Sequence, residues 1–355
     1  MLPRRFVAAL AILAIWTGVA IATAADLTPD AAYTLVVRAP LSRDPYPKPD
    51  ELAAARKVLE AQAAHEPKTA RWAFALAHVA SAESRQAQDD AAKNKRKEAV
   101  DRFEQAAELQ PADADYQFWL GNSSFEHIND VGMLSKMSLA SDGRKAFEKA
   151  IALDPGHVGA RVGLAQFLLG APGIAGGSVE KARAQGQALL ALPGKRGEFQ
   201  GRMVLAGIAA HEENWVEMSR QYTAAETAQG EGADPLVALR SHVATLLNEK
   251  KDPEAARPLV ARYVAAAPAD DLSALYLDGE VKRQLGNCAD ALPHFEQVLA
   301  KVAGARGSRW GAAVCSEKLG KKDAARLHYE EYAHRFPDDA RAKEAKAAIK
   351  RLAGS

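Results

Sequence analysis

Cysteine is nearly missing from this sequence: Cys288 and Cys315 are the only two in 355 residues, which excludes a disulfide-dense scaffold. Aromatic residues are also scarce, at 6%, while alanine is abundant. That balance suits closely packed helices better than sheets, which draw on aromatic and β-branched side chains. No charge of one sign dominates, since 46 basic residues meet 45 acidic ones, and this argues against nucleic acid as a partner. The basic run of Lys93, Lys95, Arg96 and Lys97 is itself flanked by Asp89, Asp90 and Glu98, as on a solvated helix face.

Catalytic signatures are missing too. His211-Glu212-Glu213-Asn214 begins like a zinc-protease helix, but the second histidine it needs would fall at Trp215. Gly194-Lys195 lacks the upstream glycine and the following Ser or Thr of a phosphate loop, and no Gly-x-Ser-x-Gly elbow occurs. His127 and Asp130 share a helix face, yet two ligands do not make a metal site. We therefore expect no enzyme, no cofactor and no metal.

What is present starts with an export signal. Arg4 and Arg5 precede the apolar stretch from Phe6 to Ala20, and Ala22-Thr23-Ala24 supplies small residues for cleavage. The reading is a signal peptide over residues 1–24 and a periplasmic or secreted mature chain, with no membrane insertion after cleavage. An uncleaved anchor is the competing reading, although the apolar run is short for a bilayer span. Taking Arg4 and Arg5 from the 46 basic residues leaves 44 against 45 acidic, so the mature chain is close to neutral. At 48% hydrophobic residues it has ample material for a core.

The chain also repeats itself. At a constant offset of 44, Trp72 is matched by Tyr116, Phe74 by Phe118, Leu76 by Leu120, Phe103 by Phe147, Ala106 by Ala150 and Pro111 by Pro155. In each copy one helix carries a Leu-small pair, Leu76-Ala77 or Leu120-Gly121. A second helix carries Phe-x-x-Ala and is closed by proline. The small residue lets two backbones approach, and the aromatic fills the groove between them. Later copies place the small residue and the aromatic sixteen apart, as Ala206 and Tyr222, Gly279 and Phe295, and Ala313 and Tyr329. Ala244, Ala256, Val260 and Pro268 mark another copy, and Leu164-Ala165 with Ala188 to Pro193 a less regular one.

These motifs resemble the tetratricopeptide repeat family, in exported bacterial form. The resemblance implies an all-α, right-handed superhelical solenoid of about seven helix pairs with capping helices at both ends. After the signal, residues 25–69 read as a lead-in and cap, 70–193 as long irregular repeats with insertions, 194–337 as regular repeats and 338–355 as the C-terminal cap. The first two copies each hold ten extra residues. In the second these fall near Glu126 to Leu139, where Ile128, Val131, Leu134 and Met137 have helical spacing and are expected to pack, a ligand wall being the alternative.

The resemblance also implies function: a non-catalytic scaffold or adaptor in the cell envelope, binding a protein or peptide on its concave face. Arg71, Phe74, His78, Phe118, Asn122, Phe125, Gln166, Asn248, Tyr276, Glu280, Arg283 and Trp310 would line that wall, with aromatic packing between repeats as the alternative. In the family's antiparallel stacking Cys288 and Cys315 are neighbours, which implies either a disulfide or two buried thiols. The rival reading is a small-molecule binder or enzyme near the Gly-rich loop 171–178, whose amides would cradle an anion. A structural turn capped by Ser178 explains the same residues. Neither the partner nor the oligomeric state is written in the sequence.

Overall fold

The computed structural model describes residues 27–37, 47–87, 89–228, 230–337 and 339–354, so residues 1–24, expected to be a signal peptide, lie outside the described residues. Among them there are seventeen α-helices and no strand. The chain divides into two compact units, residues 1–136 and 137–355.

The first unit holds α1 (Pro29–Val37), α2 (Pro49–His65), α3 (Ala70–Gln86), α4 (Asp89–Leu109) and α5 (Ala114–His127). Leu52, Ala55 and Leu59 form the buried stripe of α2 and pack with Ala32 and Val36 of α1 against Trp72, Leu76 and Val79 of α3. The opposite face of α3 packs through Phe74 and Ala77 on Phe103 and Ala106 of α4. Burial on both faces explains why α3 is apolar nearly all round. Asp113 starts α5 by accepting the Tyr116 amide.

Helix α6 (Met133–Leu153) begins in the first unit and runs into the second. The second unit continues with α7 (Val158–Gly170), α8 (Val179–Leu190), α9 (Lys195–His211), α10 (Trp215–Thr227), α11 (Pro235–Thr245), α12 (Pro253–Ala266), α13 (Leu272–Gln284), α14 (Cys288–Lys301), α15 (Arg306–Lys318), α16 (Lys322–Arg335) and α17 (Ala342–Ala353). In the first unit α3 pairs with α4; in the second, α7 to α16 form five successive pairs, and α17 covers the last through Ala345 and Ala348. Asn214, Asp234, Asp252, Asp271 and Asn287 each start a helix by accepting backbone amides.

The extra residues of the first two repeats lengthen the second helix. α4 and α6 have 21 residues each, against 12 to 14 for α8, α10, α12, α14 and α16. The expected packing of that insertion is not what forms. Ile128 sits in a tight turn, and Leu134 and Met137 are 85% and 59% exposed, because α6 begins at Met133 and buries only the face from Gly143 onward.

Cys288 opens α14 and Cys315 lies near the end of α15, buried in one cluster with Phe295. The disulfide reading is not realised here: both are free thiols, and burial beside Cys288 pushes the Cys315 thiol well up.

Candidate functional site

The residues expected on a binding wall separate into buried and surface groups. Phe74 and His78 lie inside the first unit, where His78 meets Phe74 at 4.7 Å, Phe103 at 5.1 Å and Trp119 at 4.5 Å between ring centres. These two side chains join α3 to α4 and α5 and offer no surface to a partner. Arg71 stands over the Tyr33 ring at 4.2 Å and pairs with Asp30 at 2.7 Å, tying α3 to α1. On α5, Phe118 and Phe125 are half-buried, and Asn122 donates to Glu126 at 3.1 Å.

In the second unit Gln166 is exposed on α7. Glu280 is buried and held by Arg283 through two hydrogen bonds, with Gln284 adding a third. Trp310 is buried between Tyr329 and Tyr332. Asn248, in the widened turn that ends α11, and Tyr276 of α13 are brought together. They line an open cleft of about 730 Å³ with Val298 and Val302 at the end of α14, Arg306 and Ser308 at the start of α15, Tyr332 of α16, and the Asp339–Arg341 connection into α17.

Asp339 organises that cleft. Its carboxylate accepts from the Tyr332 hydroxyl at 2.7 Å, the Arg306 guanidinium at 3.0 Å and the Arg341 amide at 2.9 Å. The Arg341 amide first, and Tyr332 after it, hold its pKa below the usual carboxylate range. Tyr263 makes the same bond to Asp271 at 2.8 Å, so an aromatic near the end of one second helix twice latches an aspartate just ahead of the next helix. Gly307 is small for a reason: a Cβ there would come within 2.7 Å of the Tyr276 ring and hydroxyl. Burial first, and then Glu280, pushes the Tyr276 hydroxyl up, while Arg341, Arg283 and Arg306 pull against it.

Arg306, Asp339 and Arg341 were not foreseen as site residues. Arg341 falls within residues 338–355, read only as the C-terminal cap, and nothing local shows that it lines one cleft with Tyr276. The one available signal was the recurrence of Tyr263 before Asp271 as Tyr332 before Asp339.

A second cleft, of about 550 Å³, lies beside the Gly-rich loop and is lined by Arg144, Glu148, Leu164, Leu168, Lys181 and Gln185. The loop's amides face inward. Ala175 and Gly177 donate to the Pro172 carbonyl, Gly176 to Gly173, and Ser178 to Leu168. The amide cradle expected for an anion is therefore not formed, and Ser178 caps α8 instead. Among the described residues no cluster of three or more His, Cys, Asp or Glu is placed to hold a metal, and no helix is long and apolar enough to cross a membrane.

In the second unit successive helix pairs, laid on one another through small residues and aromatics, define a helical repeat protein. Residues 84–129 and 276–340 match the model of the tetratricopeptide repeat family, and the second stretch runs from Tyr276 to Ala340 of the larger cleft. The structure is similar to the crystal structure of yeast Tom70, with a TM-score of 0.66 at 15% identity over 92% of this chain and 63% of that one. This chain thus spans under two thirds of Tom70's length, and the likeness is one of fold. A tetratricopeptide repeat protein from Parabacteroides merdae aligns with a TM-score of 0.44 at 12% identity, covering 86% of this chain and 93% of that one. The APC/C hetero-tetramer Cut9-Hcn1 contains a chain that aligns with a TM-score of 0.48 at 15% identity, covering 92% and 67% respectively. No curated protein is a significant sequence match.

Proposed function

We propose that this chain is a non-catalytic adaptor that holds an extended segment of a partner protein in the cleft between α13, α15 and the start of α17. The observation that carries this reading is the cleft itself. It combines an aliphatic wall of Val298 and Val302, the Tyr276 ring and a set of fixed polar groups, on a scaffold of packed helices. Asn248 adds an amide able to bond a partner's backbone. The residues before Ala25 support export, and with it a role in the envelope of a Gram-negative bacterium.

The site is tested by photo-crosslinking from position 276 in the native cell, with position 326 on exposed α16 as the control. A defined product from 276 alone, lost when Asn248→Ala and Val302→Asp are introduced, supports the cleft. Equal products from both positions refute it. Fractionation and N-terminal sequencing test export separately: a mature chain beginning at Ala25 is expected, and a cytoplasmic chain that keeps residues 1–24 overturns it.

A further inference from the structure

The cleft's charges name the chemistry of its occupant, an inference that rests on the reading of the cleft as a peptide groove. Three guanidiniums, Arg283, Arg306 and Arg341, act on the Tyr276 hydroxyl. Two carboxylates oppose them and are already engaged, Glu280 by Arg283 and Asp339 by Arg306 and Tyr332. One positive charge remains, and it sits on Arg341. That side chain is exposed, lies 5.4 Å over the Trp310 ring and has no ion-pair partner among the described residues. A guanidinium resting on an aromatic face keeps its outward edge for a planar anion, which is the geometry that binds carboxylate through two parallel hydrogen bonds.

We propose that Arg341, with Arg306 beside it, recognises an aspartate or glutamate side chain on an extended partner segment whose neighbouring aliphatic residue seats against Val298 and Val302. The source is a side chain rather than a chain terminus because the cleft is an open trough between helix ends, through which a peptide passes. A phosphate-rich polymer is disfavoured by the Asp339 carboxylate within the cleft, since polyanion binding needs many uncompensated cations.

Fluorescence anisotropy on the full mature chain tests this with three fluorescein-labelled peptides in Gly-Ser flanks. The first has a Leu-Glu-Leu-Glu-Leu core and an amidated end, the second Gln for Glu with the same amidated end, and the third the Gln core with a free carboxylate end. The Glu peptide is expected to bind about ten- to a hundred-fold more tightly than its amidated Gln counterpart, the range for a hydrogen-bonded charge. That preference should collapse in Arg341→Gln, whose helical content is checked by circular dichroism. It should also collapse in Arg306→Gln, which leaves Asp339 to repel the acid. Equal binding of the two amidated peptides overturns the acidic preference and leaves the groove standing. Recovery of full affinity by the free-acid Gln peptide overturns the side-chain assignment in favour of a terminus. Binding of none of the three overturns the groove and the inference together.

Discussion

Phe295 stands in a notch that exists only because residue 311 is glycine. A Cβ on Gly311 would meet the Phe295 ring at 2.5 Å, and Gly279 in the partner helix of the same repeat leaves 3.1 Å on its side. The same device recurs where Phe147 lies under Gly163, again at 2.5 Å. Helix-to-helix distance is thus set by one ring and one missing methyl group.

Gly311→Ala is therefore expected to destabilise the second unit by about 1–3 kcal/mol through overpacking, outweighing the helix propensity it gains, about 1 kcal/mol. Gly170→Ala, at a helical glycine with nothing near its Cβ, should be neutral or stabilising. Urea unfolding of both variants is the check, and equal midpoints would remove the notch argument.

His78 gives the first unit a pH dependence. Burial drives its pKa down to about 3 from 6.5, with the Arg85 charge helping, so the folded chain keeps it neutral while the unfolded chain protonates it. Its contribution is complete above about pH 6.5 and is lost progressively as the pH falls toward 3. Between pH 7 and pH 5 the loss is about 2 kcal/mol. His78→Phe should remove that component, so its unfolding free energy changes less across the interval than that of the parent. Parallel pH profiles for the two proteins would refute the assignment.

Arg56 links three helices. From α2 it reaches Glu83 of α3 at 2.7 Å and Glu98 of α4 at 2.6 Å, and Lys95 closes the ring onto both acids. Burial pushes both carboxylates up, and the bonds from Arg56 and Lys95 outweigh it and hold them below the ordinary range. Arg56→Met leaves two adjacent acids with one lysine. A loss of about 1–3 kcal/mol is expected at neutral pH, below the figure for a fully buried pair because these groups stay partly wet. Since lowered carboxylate pKa values stabilise above the unfolded value and fade below it, the difference between parent and variant should shrink as the pH falls through 4.

The Gly-rich loop is held closed by Gly177. A Cβ at that position would lie 1.7 Å from the Ala171 carbonyl oxygen, so Gly177→Ala must open the turn. A loss of about 2 kcal/mol or more is expected, as for other backbone clashes. Amide hydrogen exchange at Ala175, Gly176 and Ser178 should accelerate. Unchanged protection would mean that the turn does not depend on this close approach.

Most of the architecture could be read from residue spacing because small residue and aromatic recur where helices must touch. Phe103 and Phe147, and Ala106 and Ala150, matched at offset 44, occupy equivalent buried positions. The site was less legible. An aromatic on a repeat helix satisfies the same pattern whether it is buried between helices, as Phe74 and Trp310 are, or lines a cleft, as Tyr276 does. Arg341 carries no periodic mark at all, and its position over Trp310 is produced by the return of the chain after Phe336. The insertion in the second repeat misled for a related reason. Helical spacing of Leu134 and Met137 shows that they share a face, but not that another helix arrives to cover it.

Asp339 has two employments, as the acceptor of the Arg341 amide just ahead of α17 and as the counter-ion that steadies Arg306. Detaching the last helix would thus also unfasten a charged lip of the cleft, and Arg351, which fastens that helix to Glu317 from its far end, becomes a remote determinant of whatever the cleft holds. Cleft lip and end-cap are one mechanical part.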